Sequence, residues 1–129
     1  KLISLRTNFM QNSWYQNVQK LKGRKHQINP LHMAVEDAAR LGFTDGAAVT
    51  VSSDWGRIEA TVLVDETLRA GVVAMTHGWG NERTPGLRVA SRHPGVNVNA
   101  LLPSGPGSYE KLSNQAHMTG VPVAVTAAS

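Results

Sequence analysis

At 129 residues the chain has room for one hydrophobic core of ordinary size and too little for two, so a single domain spanning 1–129 is expected. Hydrophobic residues at 41% and charged residues at 17% are globular values, and no apolar run approaches the ~20 residues of a membrane-spanning helix, so a soluble chain is expected. The absence of cysteine excludes disulfides, thiolate-bound zinc, iron–sulfur ligation and a cysteine nucleophile, while a net charge of +4 suits either an anionic partner or an ordinary basic surface.

The chain opens on "KLISLRTNF", without an initiator Met or a signal-peptide pattern, and is expected to be a piece of a longer protein. "LISLRT" reads as a first strand. It runs into "RTNFMQNSWYQN", where Arg6, Thr7, Asn8, Gln11, Asn12, Ser13, Gln16 and Asn17 crowd together. Amides and hydroxyls donate and accept, and arginine forks onto phosphate, so this is either a ligand-facing loop or a polar loop with a helical turn. "KLKGRKH", residues 20–26, is the single basic cluster.

"HQINPLHM" reads as extended chain broken by Pro30 and ending at Met33. A short helix is predicted over Val35–Leu41: Val35, Ala38 and Leu41 have helical spacing, acids fill the first turn, and Gly42 stands where a C-terminal cap belongs. "AAVTVSS" and "RIEATVLV" are then two strands joined by the "DWG" turn, with Ile58, Ala60, Val62 and Val64 facing inward. "GVVAMT" is a further strand, breaking off at His77 into Gly78, Trp79 and Gly80. Glycines at a strand end let backbone approach another group closely, Trp79 offers a ring for stacking, and His77 can donate or accept.

In "RHPGVNVNALLPSG", Asn97 and Asn99 either cap a short helix or face a ligand. Residues 103–107 form a Pro/Gly loop, and "VPVAV" is the last candidate strand. Gly107–Ser108 has the form of a pyruvoyl self-cleavage site, although a linker is the simpler reading. The five histidines show no paired ligand spacing, and no nucleophile elbow is present. Many short strands with long loops suggest a closed or nearly closed β-barrel with a binding surface at its mouth.

The ordered pattern D-A-x-x-L-G, D-G-x-x-V-x-V, W-G-R-I-x-A-x-V, A-G-V-V and H-G-W-G, together with "LRTNFMQNSW" and "GVNVNALLP", resembles the C-terminal cofactor-binding domain of the molybdopterin oxidoreductases. These are the large subunits related to dimethyl sulfoxide reductase, formate dehydrogenase and nitrate reductase, and the likeness runs over residues 6–125. It implies a mainly β fold with short helices, a six-stranded double-psi β-barrel as in aspartate decarboxylase. It also implies binding of molybdopterin guanine dinucleotide, with molybdenum or tungsten and any iron–sulfur cluster held by other domains of a parent enzyme.

Carried over by position, the likeness puts Arg6, Thr7, Asn8, Asn12 and Ser13 against the cofactor, followed by His77, Gly78 and Trp79, and then Asn99, with Gln115 and His117 in a variable segment. The chain departs from the family where many relatives read Met-Asn-Pro: it has Met33-Ala34-Val35-Glu36. The piece alone is expected to be catalytically silent, without a membrane segment, and in the cytoplasm by default. The rival reading is a basic β-barrel that binds nucleic acid through Lys20, Lys22, Arg24 and Lys25. Seven aromatic residues are few for a stacking platform.

Overall fold

Alternation decides most of this structure, because a strand side chain reaches either the core or the outside according to parity. The computed structural model describes residues 1–24 and 26–129. The strands are β1 (Leu2–Leu5), β2 (Leu31–Ala34), β3 (Ala48–Ser52), β4 (Arg57–Asp65), β5 (Val73–Thr76) and β6 (Ala124–Ala127). Among the described residues three short helices accompany them, α1 (Gln19–Lys22), α2 (Val35–Leu41) and α3 (Arg88–Arg92), with a 3-10 turn at Val98–Leu101.

The six strands form one mixed sheet in the order β1-β5-β2-β4-β3-β6. Two neighbouring pairs are parallel, β1 with β5 and β2 with β4, and the rest are antiparallel. Beyond the sheet's own ladder, Leu2 bonds through both its N–H and C=O to Val121, tying edge strand β1 to the segment that runs into edge strand β6.

Leu2, Leu31, Met33, Val49, Val51, Ile58, Ala60, Val62, Val73 and Met75 are buried in one cluster, with Val98 and Leu101 of the 3-10 turn closing over it. The inward set expected on β4 holds for Ile58, Ala60 and Val62, while Val64, nearer the end, is only half-buried. Residues of opposite parity, such as His32 and its partner Leu63, lie on the other face of the sheet.

The β3–β4 hairpin closes where "DWG" predicts, with Ser53 N–H bonded to Gly56 C=O at 2.8 Å. Gly56 has no room for a side chain, since a Cβ would sit 2.3 Å from the Ala100 carbonyl oxygen. Helix α2 has the predicted limits and its left-handed cap at Gly42, φ 75°. Of Val35, Ala38 and Leu41 only Ala38 is buried. Asp37 holds the helix in place instead, accepting from Arg40 and from the Gly71 N–H in the turn before β5.

The last strand starts later than the "VPVAV" reading placed it. Pro122 has no N–H to give a ladder, so Val121 pairs with Leu2 and regular pairing with β3 begins at Ala124. Helices α1 and α3 were not foreseen. The N-terminus of α3 is capped from across the chain, where Asn17 Oδ1 accepts from Val89 N–H at 2.9 Å and Ala90 N–H at 3.2 Å. Among the described residues no helix is long and apolar enough to cross a membrane.

Candidate functional site

Strands β1 and β5 run parallel, so their C-terminal ends and the loops that follow emerge side by side. Ser4 and His77 share the parity of core residues Leu2 and Met75, and both side chains therefore lie on the core face of the sheet, at the end where β1 and β5 give way to their loops, called the mouth below. His77 Nδ1 lies 3.2 Å from Ser4 Oγ, and its Nε2 lies 2.9 Å from Asn12 Oδ1. The same Asn12 oxygen accepts from Arg6 at 3.4 Å. Burial, and secondarily the charge of Arg6, hold the His77 pKa below its ordinary value, so the ring is neutral around pH 7.

The loop after β1 and the strand-end glycines also interlock through backbone. Gly78 has φ 91°, and a Cβ there would lie 1.9 Å from the Asn12 carbonyl oxygen and 3.0 Å from the Ser13 nitrogen. Gly80, also at φ 91°, presses on Asn97, which leads into the 3-10 turn. Val98 and Leu102 then line the same small pocket as Ser4 and His77. The two readings of the Asn97/Asn99 pair divide between the residues: Asn97 Oδ1 caps the turn by accepting from Asn99 N–H, and the Asn99 side chain is exposed.

The polar loop divides in the same way. Gln16 is fully buried, donating to Pro94 C=O at 2.9 Å and accepting from Asn81, so it supports the fold. Asn29, not singled out from the sequence, makes three bonds at 2.7–2.9 Å to the Thr76 carbonyl and both backbone groups of Val96, pinning the mouth segments together. Arg6, Asn8, Asn12 and Ser13 are exposed on the loop surface. Thr7 lies elsewhere, lining a pocket of about 310 Å³ with Phe9, His26, Ile28, His32 and Leu63.

Trp79 was expected to offer a stacking face. Its ring is 4% exposed, with the Lys22 ammonium 4.4 Å from the ring centroid and Gly95 packed against its edge. The ring is thus occupied by the chain itself. Its Nε1–H is the one buried side-chain polar atom without a partner among the described residues. Gln115 and His117 lie on an exposed hairpin, where Tyr109 pairs with Ala116 and His117 N–H bonds to Ser108 C=O. Met118, next to His117, reaches the pocket that holds Ser4 and His77. Ser108, considered above for self-cleavage, donates its hydroxyl to Gly105 C=O at 2.6 Å within a tight turn.

The basic cluster does not present itself as a unit. Lys22 is fully buried, its Nζ against Met10 Sδ at 3.2 Å, and burial lowers its pKa. Lys25 lies outside the described residues. A buried ammonium cannot meet a phosphate backbone, which removes one of the four proposed nucleic-acid contacts.

An acid–imidazole contact lies away from the mouth, where His32 Nδ1 meets Asp65 Oδ2 at 2.9 Å. Asp65 Oδ1 also accepts from the Thr67 hydroxyl and N–H, and these bonds, with His32, bring its pKa down to about 2. A carboxylate with a depressed folded-state pKa stabilises the fold above its unfolded pKa, ordinarily near 3.8, and that contribution disappears as pH falls toward 2. Asp65→Asn is therefore expected to lower the urea midpoint at pH 6 and to match the parent protein near pH 2. Urea titrations at both pH values check this.

The mouth offers an arginine, an exposed carboxamide and exposed loop residues, a donor set that fits an anionic, oxygen-rich group. The fold is shared with a region of a larger protein of known structure. It is similar to acetylene hydratase from Pelobacter acetylenicus, with a TM-score of 0.76 over 98% of this chain at 19% identity, and this chain spans 18% of that one. Residues 1–118 match the family described as the molydopterin (molybdopterin) dinucleotide binding domain, and the chain belongs to that family. No curated protein sequence matches the chain. The resemblance carried by the sequence motifs is thereby shown, and the nucleic-acid reading is not favoured.

Proposed function

We propose that this chain is the single, C-terminal cofactor-binding domain of a molybdenum- or tungsten-dependent oxidoreductase, and that its ligand is molybdopterin guanine dinucleotide. The observation that carries this reading is the meeting of the loop after β1 with the end of β5, through His77, Asn12 and Arg6. A double-psi β-barrel is supported by the parallel pairs β1/β5 and β2/β4 and by the Leu2–Val121 bridge between the two edges. The bound group supplies the redox chemistry in such enzymes. This chain's residues bind it, orient it and shield it, while the metal's protein ligand and any iron–sulfur cluster belong to the other domains of the parent.

Arg6, Asn8, Asn12, Ser13 and Asn99 are the proposed direct contacts, with His77 and Gly78 shaping the surface that holds them and Trp79 supporting it from beneath. Thr7 faces the adjoining pocket, and Gln115 and His117 approach from the hairpin. In the parent enzyme Arg6→Ala and Asn99→Ala are each expected to reduce cofactor retention about ten- to hundredfold, the effect of losing a hydrogen bond of about 1.5–3 kcal/mol to a charged group. Pterin content after gel filtration measures it, with melting temperature as the control. Full retention in both variants would refute the reading. The isolated 129-residue chain is expected to show no redox turnover.

A further inference from the structure

We propose that Ser4 and His77 are positioning residues that preset the Asn12 carboxamide, so that its NH2 group and the Arg6 guanidinium form a joint donor pair for a phosphate oxygen of the dinucleotide. This rests on the cofactor-binding reading above and deepens it. Which atoms can donate decides the arrangement. Arginine carries only donors, so the Asn12 atom that it meets at 3.4 Å must be the carbonyl oxygen Oδ1. His77 Nε2, 2.9 Å from that same oxygen, must then carry the hydrogen.

The ring is neutral, so Nδ1 holds a lone pair and the only arrangement left is for the Ser4 hydroxyl to donate to it. Ser4 thus selects the tautomer, the tautomer fixes the amide, and the amide turns its NH2 outward. Among the described residues that NH2 makes no hydrogen bond, and Asn12 is exposed. The position is held with unusual firmness for a surface loop. Asn12 has φ 49°, a left-handed conformation uncommon outside glycine, and its carbonyl is packed on Gly78. An exposed residue fixed by its backbone, a histidine and an arginine, with two free donors beside a guanidinium, is complementary to an anionic oxygen.

The test is nitrogen-15 NMR on the 129-residue chain, with inorganic pyrophosphate as probe. The expected result is a neutral His77 protonated on Nε2, and pyrophosphate-dependent shifts of the Asn12 side-chain NH2. Ser4→Ala should mix the tautomers and weaken pyrophosphate binding about fivefold, the loss of one neutral hydrogen bond. Ser4→Thr, which restores a hydroxyl, should recover both. Asn12→Asp keeps the acceptor for His77 and Arg6, and aspartate tolerates a left-handed backbone, yet it replaces the donor with a negative oxygen, so pyrophosphate binding should be lost while the melting temperature holds.

A wild-type ring protonated on Nδ1, an unchanged tautomer in Ser4→Ala, or pyrophosphate binding that survives Asn12→Asp would each overturn the proposal. If Asn12→Asp does not fold, the two Ser4 variants decide the matter by tautomer and affinity. A parent enzyme that retains its cofactor while pyrophosphate leaves Asn12 unshifted defeats this inference alone; a parent that never holds a pterin defeats the reading beneath it.

Discussion

Gly78→Ala is expected to destabilise the protein by about 4 kcal/mol and to abolish cofactor binding in the same step. Two costs combine. At φ 91° an L-residue is strained, on the order of 1–3 kcal/mol, whatever space surrounds it. The added methyl would also lie 1.9 Å from the Asn12 carbonyl oxygen, which is backbone and cannot rotate away. The loop must therefore lift off the end of β5, taking Asn12 away from His77 Nε2 and separating Arg6 from the position it shares with them.

Gly86 serves as the control, since it too has a positive φ, 84°, but a Cβ there meets nothing within 4 Å. Gly86→Ala should cost only the strain. Chemical denaturation separates the two variants in stability, and the His77 ring resonances report whether the loop has moved. Equal midpoints for the two variants would show that the close approach at Gly78 carries no weight.

This contact also shows why the site was only half legible in the sequence. The strand ending in His77-Gly78-Trp79-Gly80 was visible as a motif, and so was the need for close backbone approach. What approaches Gly78 was not, because Asn12 is brought there by the parallel pairing of β1 and β5, a relation between segments some seventy residues apart that no local pattern encodes. The polar loop posed the same difficulty. Asn12, Gln16 and Asn17 look alike in sequence, yet Asn12 is exposed at the mouth, Gln16 is buried as a strut, and Asn17 caps a distant helix.

Lys22 and Trp79 misled for a related reason. Each carries a group that commonly serves ligands, and here the two satisfy one another, ammonium above indole, beneath the loop. Ser4 gave no signal at all, since a serine in a strand is unremarkable until a histidine ring is found beside it. Where pattern and structure agree, in β3, β4 and α2, the determinants are local: alternation, a four-residue turn, and a glycine in the left-handed cap. The order of the six strands and the Leu2–Val121 bridge are non-local.

Val62→Asp should be the most damaging single change, exceeding about 4 kcal/mol, because it places a carboxylate where no partner exists. Val62 is 2% exposed, paired to Leu31 across the parallel ladder, and surrounded by the apolar cluster that the whole sheet shares. The loss includes about 1.5–2 kcal/mol of valine burial and the larger cost of desolvating a charge or of keeping it protonated. This second part gives the variant a signature.

A buried, unpartnered carboxyl has its folded-state pKa raised, so whatever stability the variant keeps is greatest below the unfolded value near 3.8–4 and falls as pH rises. Asp65, three residues along the same strand and held by His32 and Thr67, behaves in the opposite sense. Leu63→Asp separates burial from chemistry, since Leu63 is exposed on the outer face and the same substitution there should shift stability by less than about 1 kcal/mol. Urea midpoints of the two variants from pH 3 to pH 8 give the comparison. If Val62→Asp and Leu63→Asp lose stability equally, or if the Val62 variant gains stability with rising pH, the inward face of β4 has been misassigned and the register of the sheet with it.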